Sequence, residues 1–194
     1  MTEPRYSIVV CHYNMVNTVE ESLRSILNQL DGRFEVVVVD GGSDDGSFRV
    51  LQRLSDEYPA LRIICPSETD HQVLGAERNL GVEEARGKHI LLQMDADDQY
   101  DPVIKDFIYV YEQIQEGFER GVYVSGKNIN AAPRSVLLSH GPYREGIHRG
   151  EDTDMWRRMI ADDAFVQLEH ERLCESIGYN PGKRQLISNR LSEI

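Results

Sequence analysis

The sequence predicts an α/β fold, a mostly parallel sheet with helices on both faces. Two observations carry this. Apolar runs of strand length alternate with helical segments from residue 6 to residue 118. The runs are near-continuous Val, Ile and Leu, as in strands covered on both sides.

The elements follow in order. Residues 6–10, Y-S-I-V-V, are a short buried strand. In the next segment Val19, Leu23, Ile26, Leu27 and Leu30 recur at helical spacing, and Thr18 with Glu21 predicts a capping box. Residues 34–39, F-E-V-V-V-V, are a second strand, followed by the turn-rich loop D-G-G-S-D-D-G and a helix through Val50, Leu51 and Leu54. Leu61 to Cys65 is a third strand. Residues 75–86 are a helix with Gly87 at its C-cap. Residues 89–94 are a fourth strand, and 102–118 a helix with Pro102 in its first turn. Beyond residue 120 the alternation weakens. A strand at Val122–Val124 and helices at 151–160 and Gln167–Ile177 are expected, within a tail from 166 to 194.

With 194 residues, no repeat and no obvious linker, one domain is the economical reading. Within it the segments 1–112, 113–165 and the tail are expected to differ in role. The net charge of −12 argues against nucleic acid as a main partner. Cys11, Cys65 and Cys174 are far apart and odd in number, so neither a disulfide framework nor a metal-type C-x-x-C is expected. No 18-residue apolar run and no signal-peptide layout occur, so a cytoplasmic chain is expected, free or peripheral at the inner membrane face. No polybasic patch marks the peripheral alternative.

Parallel α/β sheets bind ligands beyond the carboxyl ends of their strands. The residues just past each strand are therefore candidates: Cys11-His12-Tyr13-Asn14, Asp40-Gly41-Gly42-Ser43 and Asp95-Ala96-Asp97-Asp98. Asp95, Asp97, Asp98 and Asp101 crowd behind the run Ile90–Leu92, and their repulsion calls for a positive partner. Carboxylates are hard ligands, so Asp-x-Asp can hold Mg²⁺ or Mn²⁺ against a diphosphate. The plainer alternative is a solvated acidic turn, with Asp101 capping the next helix. Asp40 likewise is a ligand contact or an N-cap. Glu151 and Asp152 open a helix, where the macrodipole favours acids. Alternatively, a carboxylate there is a general base that deprotonates an acceptor hydroxyl.

Four segments, S-I-V-V-C-H-Y-N, V-V-V-D-G-G-S-D-D-G, A-E-R-N-L-G-V-E-E-A-R-G-K-H-I-L-L-Q-M-D-A-D-D and G-E-D-T-D-M-W-R-R-M, occur in this order and spacing. Together they resemble the family 2 glycosyltransferases of the Rossmann-like GT-A fold, over residues 6–112 and 121–160. The resemblance implies an inverting transfer of one sugar from a nucleoside diphosphate sugar. The acceptor is then a glycan, lipid-phosphate or protein hydroxyl. Asp40 resembles the family's nucleoside-binding aspartate and Asp95 the aspartate at the ribose and metal. Asp97 resembles the direct ligand of Mn²⁺ or Mg²⁺. Asp152 resembles the catalytic base, with Glu151 orienting the acceptor. Arg78 and Asn79 match the A-R-N segment as nucleotide or donor-pocket residues, with a structural role as the alternative. Cys11, His12, Tyr13, Asn14, Gly41 and Ala96 complete the expected nucleotide-sugar contacts.

The chain also departs from that pattern. Cys11-His12-Tyr13-Asn14 stands for P-T-Y-N, and Gly41 for a common second aspartate. The stretch from Asp98 to Glu151, which builds the acceptor side, is short. The Q-x-x-R-W of processive members is missing, which favours a single transfer. Arg134, Arg149 and His148 are further phosphate candidates, each with a structural alternative, while Trp156 reads as core and Cys11 as a small buried hydrophobe. Two rival functions stand beside the transferase. A nucleotidyltransferase would need a glycine-rich basic loop that C-H-Y-N-M-V-N-T lacks. A non-catalytic nucleotide-sugar-binding domain would bind donor without releasing its diphosphate.

Overall fold

The computed structural model describes residues 3–66, 74–140, 143–144, 146–147 and 149–178. Strands β1 (Tyr6–His12), β2 (Phe34–Asp40), β3 (Leu61–Ile64) and β4 (His89–Leu92) lie parallel in the order β3-β2-β1-β4. Helices α1 (Val19–Leu27), α2 (Ser47–Glu57) and α3 (Leu74–Glu84) connect them. The chain continues through β5 (Asp98–Tyr100), α4 (Ile104–Glu116), β6 (Tyr123–Ser125), β7 (Asn130–Pro133), α5 (Arg134–Ser139), α6 (Glu151–Ala161), β8 (Phe165–Gln167) and β9 (Cys174–Ser176). Strand β7 joins β4 antiparallel and carries β6 and β8, which completes seven strands. Strands β5 and β9 pair separately.

Strand pleating sends alternate residues to opposite cores. Ile8, Val10, Val36 and Val38 pack under Leu23 and Ile26 of α1, Leu51 and Leu54 of α2, and Phe107 and Tyr111 of α4. Val9, Val37, Ile90 and Leu92 face Val82 of α3, Val136 of α5, and Met155 and Met159 of α6. Burying each such side chain contributes roughly 1.5–3 kcal/mol. Helix α3 lies so close to the sheet that a Cβ at Gly81 would come within 2.3 Å of Val9 Cγ1. The same helix buries Glu77, Arg78 and Asn79, a polar set that points to a site.

Several local expectations fail for identifiable reasons. The Thr18 side chain makes no cap bond; its hydroxyl instead donates to the Met15 carbonyl at 3.4 Å. Gly87 is not a left-handed cap. It is small because a Cβ there would lie 2.7 Å from the Ser7 backbone nitrogen. Asp101 does not cap α4, which starts at Ile104, two residues past Pro102. Gln29, next to α1, takes that role: its Oε1 accepts the Ile104 N–H at 2.9 Å, and its amide donates to the Asp101 carbonyl at 3.0 Å. The expected helix at Gln167–Ile177 is instead the end of β8, a connecting segment and β9. Residues 179–194 of the expected tail lie outside the described residues.

Candidate active site

The register of β1 against β2 puts His12 opposite Asp40 at the carboxyl end of the sheet. His12 Nδ1 and Asp40 Oδ1 are 2.7 Å apart, both side chains buried. The Ser43 hydroxyl donates to the same oxygen at 2.6 Å, and the Ser43 N–H to Oδ2 at 3.1 Å. Burial works against the Asp40 charge, but the hydrogen bonds from His12 and Ser43 outweigh it and hold the carboxyl below its usual range. Asn14, at φ 52°, ties the next loop down: its side chain exchanges hydrogen bonds with Asp44 at 3.0 and 2.9 Å. Tyr13 is left 45% exposed at the rim. Burial pushes the Cys11 thiol far up, so it is no nucleophile.

From the other side, α3 presents Glu77, Arg78 and Asn79. Asn79 is fully engaged with the backbone of Tyr143, donating to its carbonyl at 2.9 Å and accepting its N–H at 2.7 Å. These bonds fit the structural alternative for Asn79. Arg78 is buried beneath the N-terminus of α6. Its Nη1 donates to Glu151 Oε1 at 2.7 Å and to Asp152 Oδ1, and its guanidinium lies 5.2 Å from the centre of the Tyr143 ring. Asp152 is raised above its usual range, first by burial and then by Glu151, while Arg78 and the Gln93 amide oppose the rise.

The third acidic segment follows β4. Gln93 turns the chain at φ 60°, an uncommon backbone for a non-glycine residue. Its Oε1 accepts from Asn130 Nδ2. Ala96 is fully buried, and the Asp95 backbone is pinned by Tyr100 and Ser22: its N–H donates to the Tyr100 hydroxyl at 2.6 Å, and its carbonyl accepts from Ser22 Oγ at 3.1 Å. The Asp95 carboxyl opens to solvent at the rim but is hemmed in by protein behind. It is pushed up to about 6, first by lost hydration, then by Asp97, Asp98 and Asp152, with Arg78 opposing. Water reaches its open side, so the like charges are the part that a cation would relieve. Asp97 is raised by burial and by Asp98, and among the described residues no cationic side chain counters it. Asp98 is buried against Cys174, whose Sγ is 3.2 Å from its Oδ2. That contact sets Asp98 apart from the open pair Asp95 and Asp97.

Strand β9 closes over this loop. The Asp97 carbonyl accepts from the N–H groups of Ile177 at 2.8 Å and Gly178 at 3.1 Å. A Cβ at Gly178 would lie 2.5 Å from Asp97 Cβ. The clasp escaped sequence reading, as did Gln93 and Tyr143. The one available signal was the place of Gln93 between a strand and M-D-A-D. Arg134 donates to the Val82 and Glu83 carbonyls at 2.8 and 2.7 Å, capping the end of α3, which fits its structural alternative. Trp156 packs near Phe165 and donates to the Tyr123 hydroxyl at 3.3 Å, as expected of a core residue. Arg149 is exposed, and His148 lies outside the described residues.

Among the described residues, no three His, Cys, Asp or Glu side chains gather into a ready-made ion site. Two open carboxylates short of positive charge still fit Mg²⁺ or Mn²⁺, which commonly completes its shell with substrate phosphates. Among the described residues no helix is long and apolar enough to cross a membrane.

The strand order and the acidic rim define the class: the fold is the GT-A glycosyltransferase fold. A mannosyltransferase from Pyrobaculum calidifontis, solved with GDP-Man and Mn²⁺, superposes with a TM-score of 0.71 at 19% identity, covering 95% of this chain and 60% of that one. Glucosyl-3-phosphoglycerate synthase from Mycobacterium tuberculosis, solved with Mn²⁺ and uridine-diphosphate-glucose, superposes at 0.65 with 19% identity, covering 97% and 78%. The profile described as Glycosyl transferase family 2 matches residues 7–165, and the chain belongs to that family. Glycosyltransferase AglE of Haloferax volcanii is 33% identical over 98 residues, 50% of this chain and 31% of that protein. The aligned regions make up 28–32% of the length of five curated relatives.

Proposed function

We propose that this chain forms the donor-binding and catalytic part of an inverting, metal-dependent glycosyltransferase, moving one sugar from a nucleoside diphosphate sugar to an acceptor hydroxyl. The supporting observation is the meeting of Asp95 and Asp152 around Arg78, which lowers both carboxyls against their like charges. That shared cation supports reading Asp95 as a metal-type carboxylate and Asp152 as a general base within one site. Asp97 and Asp95 hold Mn²⁺ or Mg²⁺, which when bound offsets the charge growing on the leaving diphosphate. Asp152 takes the acceptor proton as the hydroxyl attacks from the face opposite the diphosphate. A raised carboxyl is a stronger base than an ordinary one, which suits that task. Glu151 orients the acceptor, and Arg78 fixes both acids in place.

The test separates binding from transfer. With Mn²⁺ present, Asp97→Ala should abolish metal-supported donor binding in calorimetry. Asp152→Asn should keep donor binding and lower sugar release by about 10²–10⁴-fold. Wild-type donor affinity in the Asp97 variant sinks the metal assignment. Donor binding without any release by the wild-type chain identifies a binding domain instead of an enzyme.

A further inference from the structure

Glu77 is an acid that the proposed reaction leaves unused. It is only 6% exposed, yet it makes no hydrogen bond or ion pair with any described residue. It lies at the donor end of the rim. Its Oε1 sits 2.5 Å from where a Cβ of residue 41 would be, and Tyr13 Cδ2 lies 3.5 Å from the same point. The glycine at 41 therefore clears the space that this carboxyl fills. His12, whose charge also acts on Glu77, has its Nδ1 on Asp40 while its buried Nε2 has no partner. Asp40 itself is committed to His12 and Ser43. An unpartnered buried atom such as His12 Nε2 is costly. The Glu77 carboxyl and the exposed Tyr13 ring both approach the backbone at Gly41.

Resting on the donor reading above, we propose that Glu77 is the residue that selects the donor's base. Tyr13 supplies a stacking face, Gly41 the close backbone, and the neutral Glu77 carboxyl one donor and one acceptor to the imide edge of uracil or thymine. The imide offers an N–H between two carbonyls. A carboxylic acid matches N–H and C=O together, whereas a carboxylate would repel the flanking carbonyls. Guanine differs: its adjacent N1–H and N2–H donors favour the ionised form. The groups that act on Glu77 are Asp40 of β2, His12 of β1 and Arg78 of its own helix, with the Tyr13 ring nearby. Burial first, and then Asp40, push Glu77 up to about 7 against His12 and Arg78, so the neutral form is available near neutrality.

The experiment compares UDP and GDP binding to wild type, Glu77→Gln and Gly41→Ala with Mn²⁺, across about pH 6 to 8. Glutamine keeps one donor and one acceptor but does not titrate. The ratio of wild-type to Glu77→Gln affinity for UDP cancels the metal carboxylates, and should fall about tenfold as pH rises through about 7. Gly41→Ala pushes the carboxyl aside and should weaken UDP roughly tenfold at the lower pH, with a wild-type thermal transition. A flat ratio, unchanged UDP affinity in Gly41→Ala, or tighter GDP binding that strengthens with pH overturns the role of Glu77 while leaving the donor site intact. Failure of the wild type to bind either nucleotide overturns both proposals.

Discussion

The two ends of the rim are built on opposite principles. Where β1 meets β2, one carboxylate, Asp40, receives donors from His12 and Ser43 and is held below its usual range. Where β4 meets α6, Asp95, Glu151 and Asp152 share one buried cation, Arg78, and Asp95, Asp97 and Asp152 are raised. At the first end Asp40 is satisfied without a ligand. The second is short of positive charge, and that shortage is what a metal-diphosphate would fill.

Substitution of Arg78 should break the comparison most severely. Arg78→Met leaves Glu151 and Asp152 without their cation and should cost about 3–5 kcal/mol in chemical denaturation. Asp40→Asn, at the first end, retains an acceptor and should cost only about 1–2 kcal/mol. Equal losses would mean that the two ends do not differ in the way described.

A smaller effect should come from the clasp. Gly178→Ala places a methyl against Asp97 Cβ without removing any carboxylate. It should weaken Mn²⁺-supported donor binding by roughly tenfold, about 1.4 kcal/mol, while leaving the Arg78 end intact. Titration of the donor with and without Mn²⁺ reads it directly.

The smallest effect is on pH. Asp95 titrates at about 6 in the folded chain, against an ordinary value of 3.8. The folded chain keeps a proton that the unfolded chain releases, so this group's contribution is fully present below the ordinary value and is lost as pH rises through about 6. Asp40, depressed, has the opposite sign and acts at lower pH. Between about pH 4.5 and 7.5, the Tm of Asp95→Asn should therefore decline less with pH than wild type. Saturating Mn²⁺ and donor should narrow the difference.

The sequence made β1, β2 and β4 legible because their Val, Ile and Leu runs report burial on both faces. The rim carboxylates followed, since strand ends locate them. Strand β7 was not legible: Asn130-Ala131-Ala132-Pro133 has no β-branched residue, and only its place between β4 and β6 makes it a strand. Strand β9, Cys174-Glu175-Ser176, exists because β5 is there to pair with it. The α4 cap was misplaced for the same reason, because Gln29 is distant in sequence. Glu77 stood in plain view beside Arg78, but its isolation is a three-dimensional fact.

The clasp on Asp97 also has a consequence in time. The parallel strands β1 to β4 lie within the first 92 residues and can pair as they emerge from the ribosome. The loop carrying Asp97 is synthesised directly after them, but its backbone partners are Ile177 and Gly178. About 80 residues must follow, roughly 4–16 seconds of synthesis, before that loop can settle. A nascent chain therefore holds a formed sheet while the loop that carries Asp97 still waits for its backbone partners at Ile177 and Gly178.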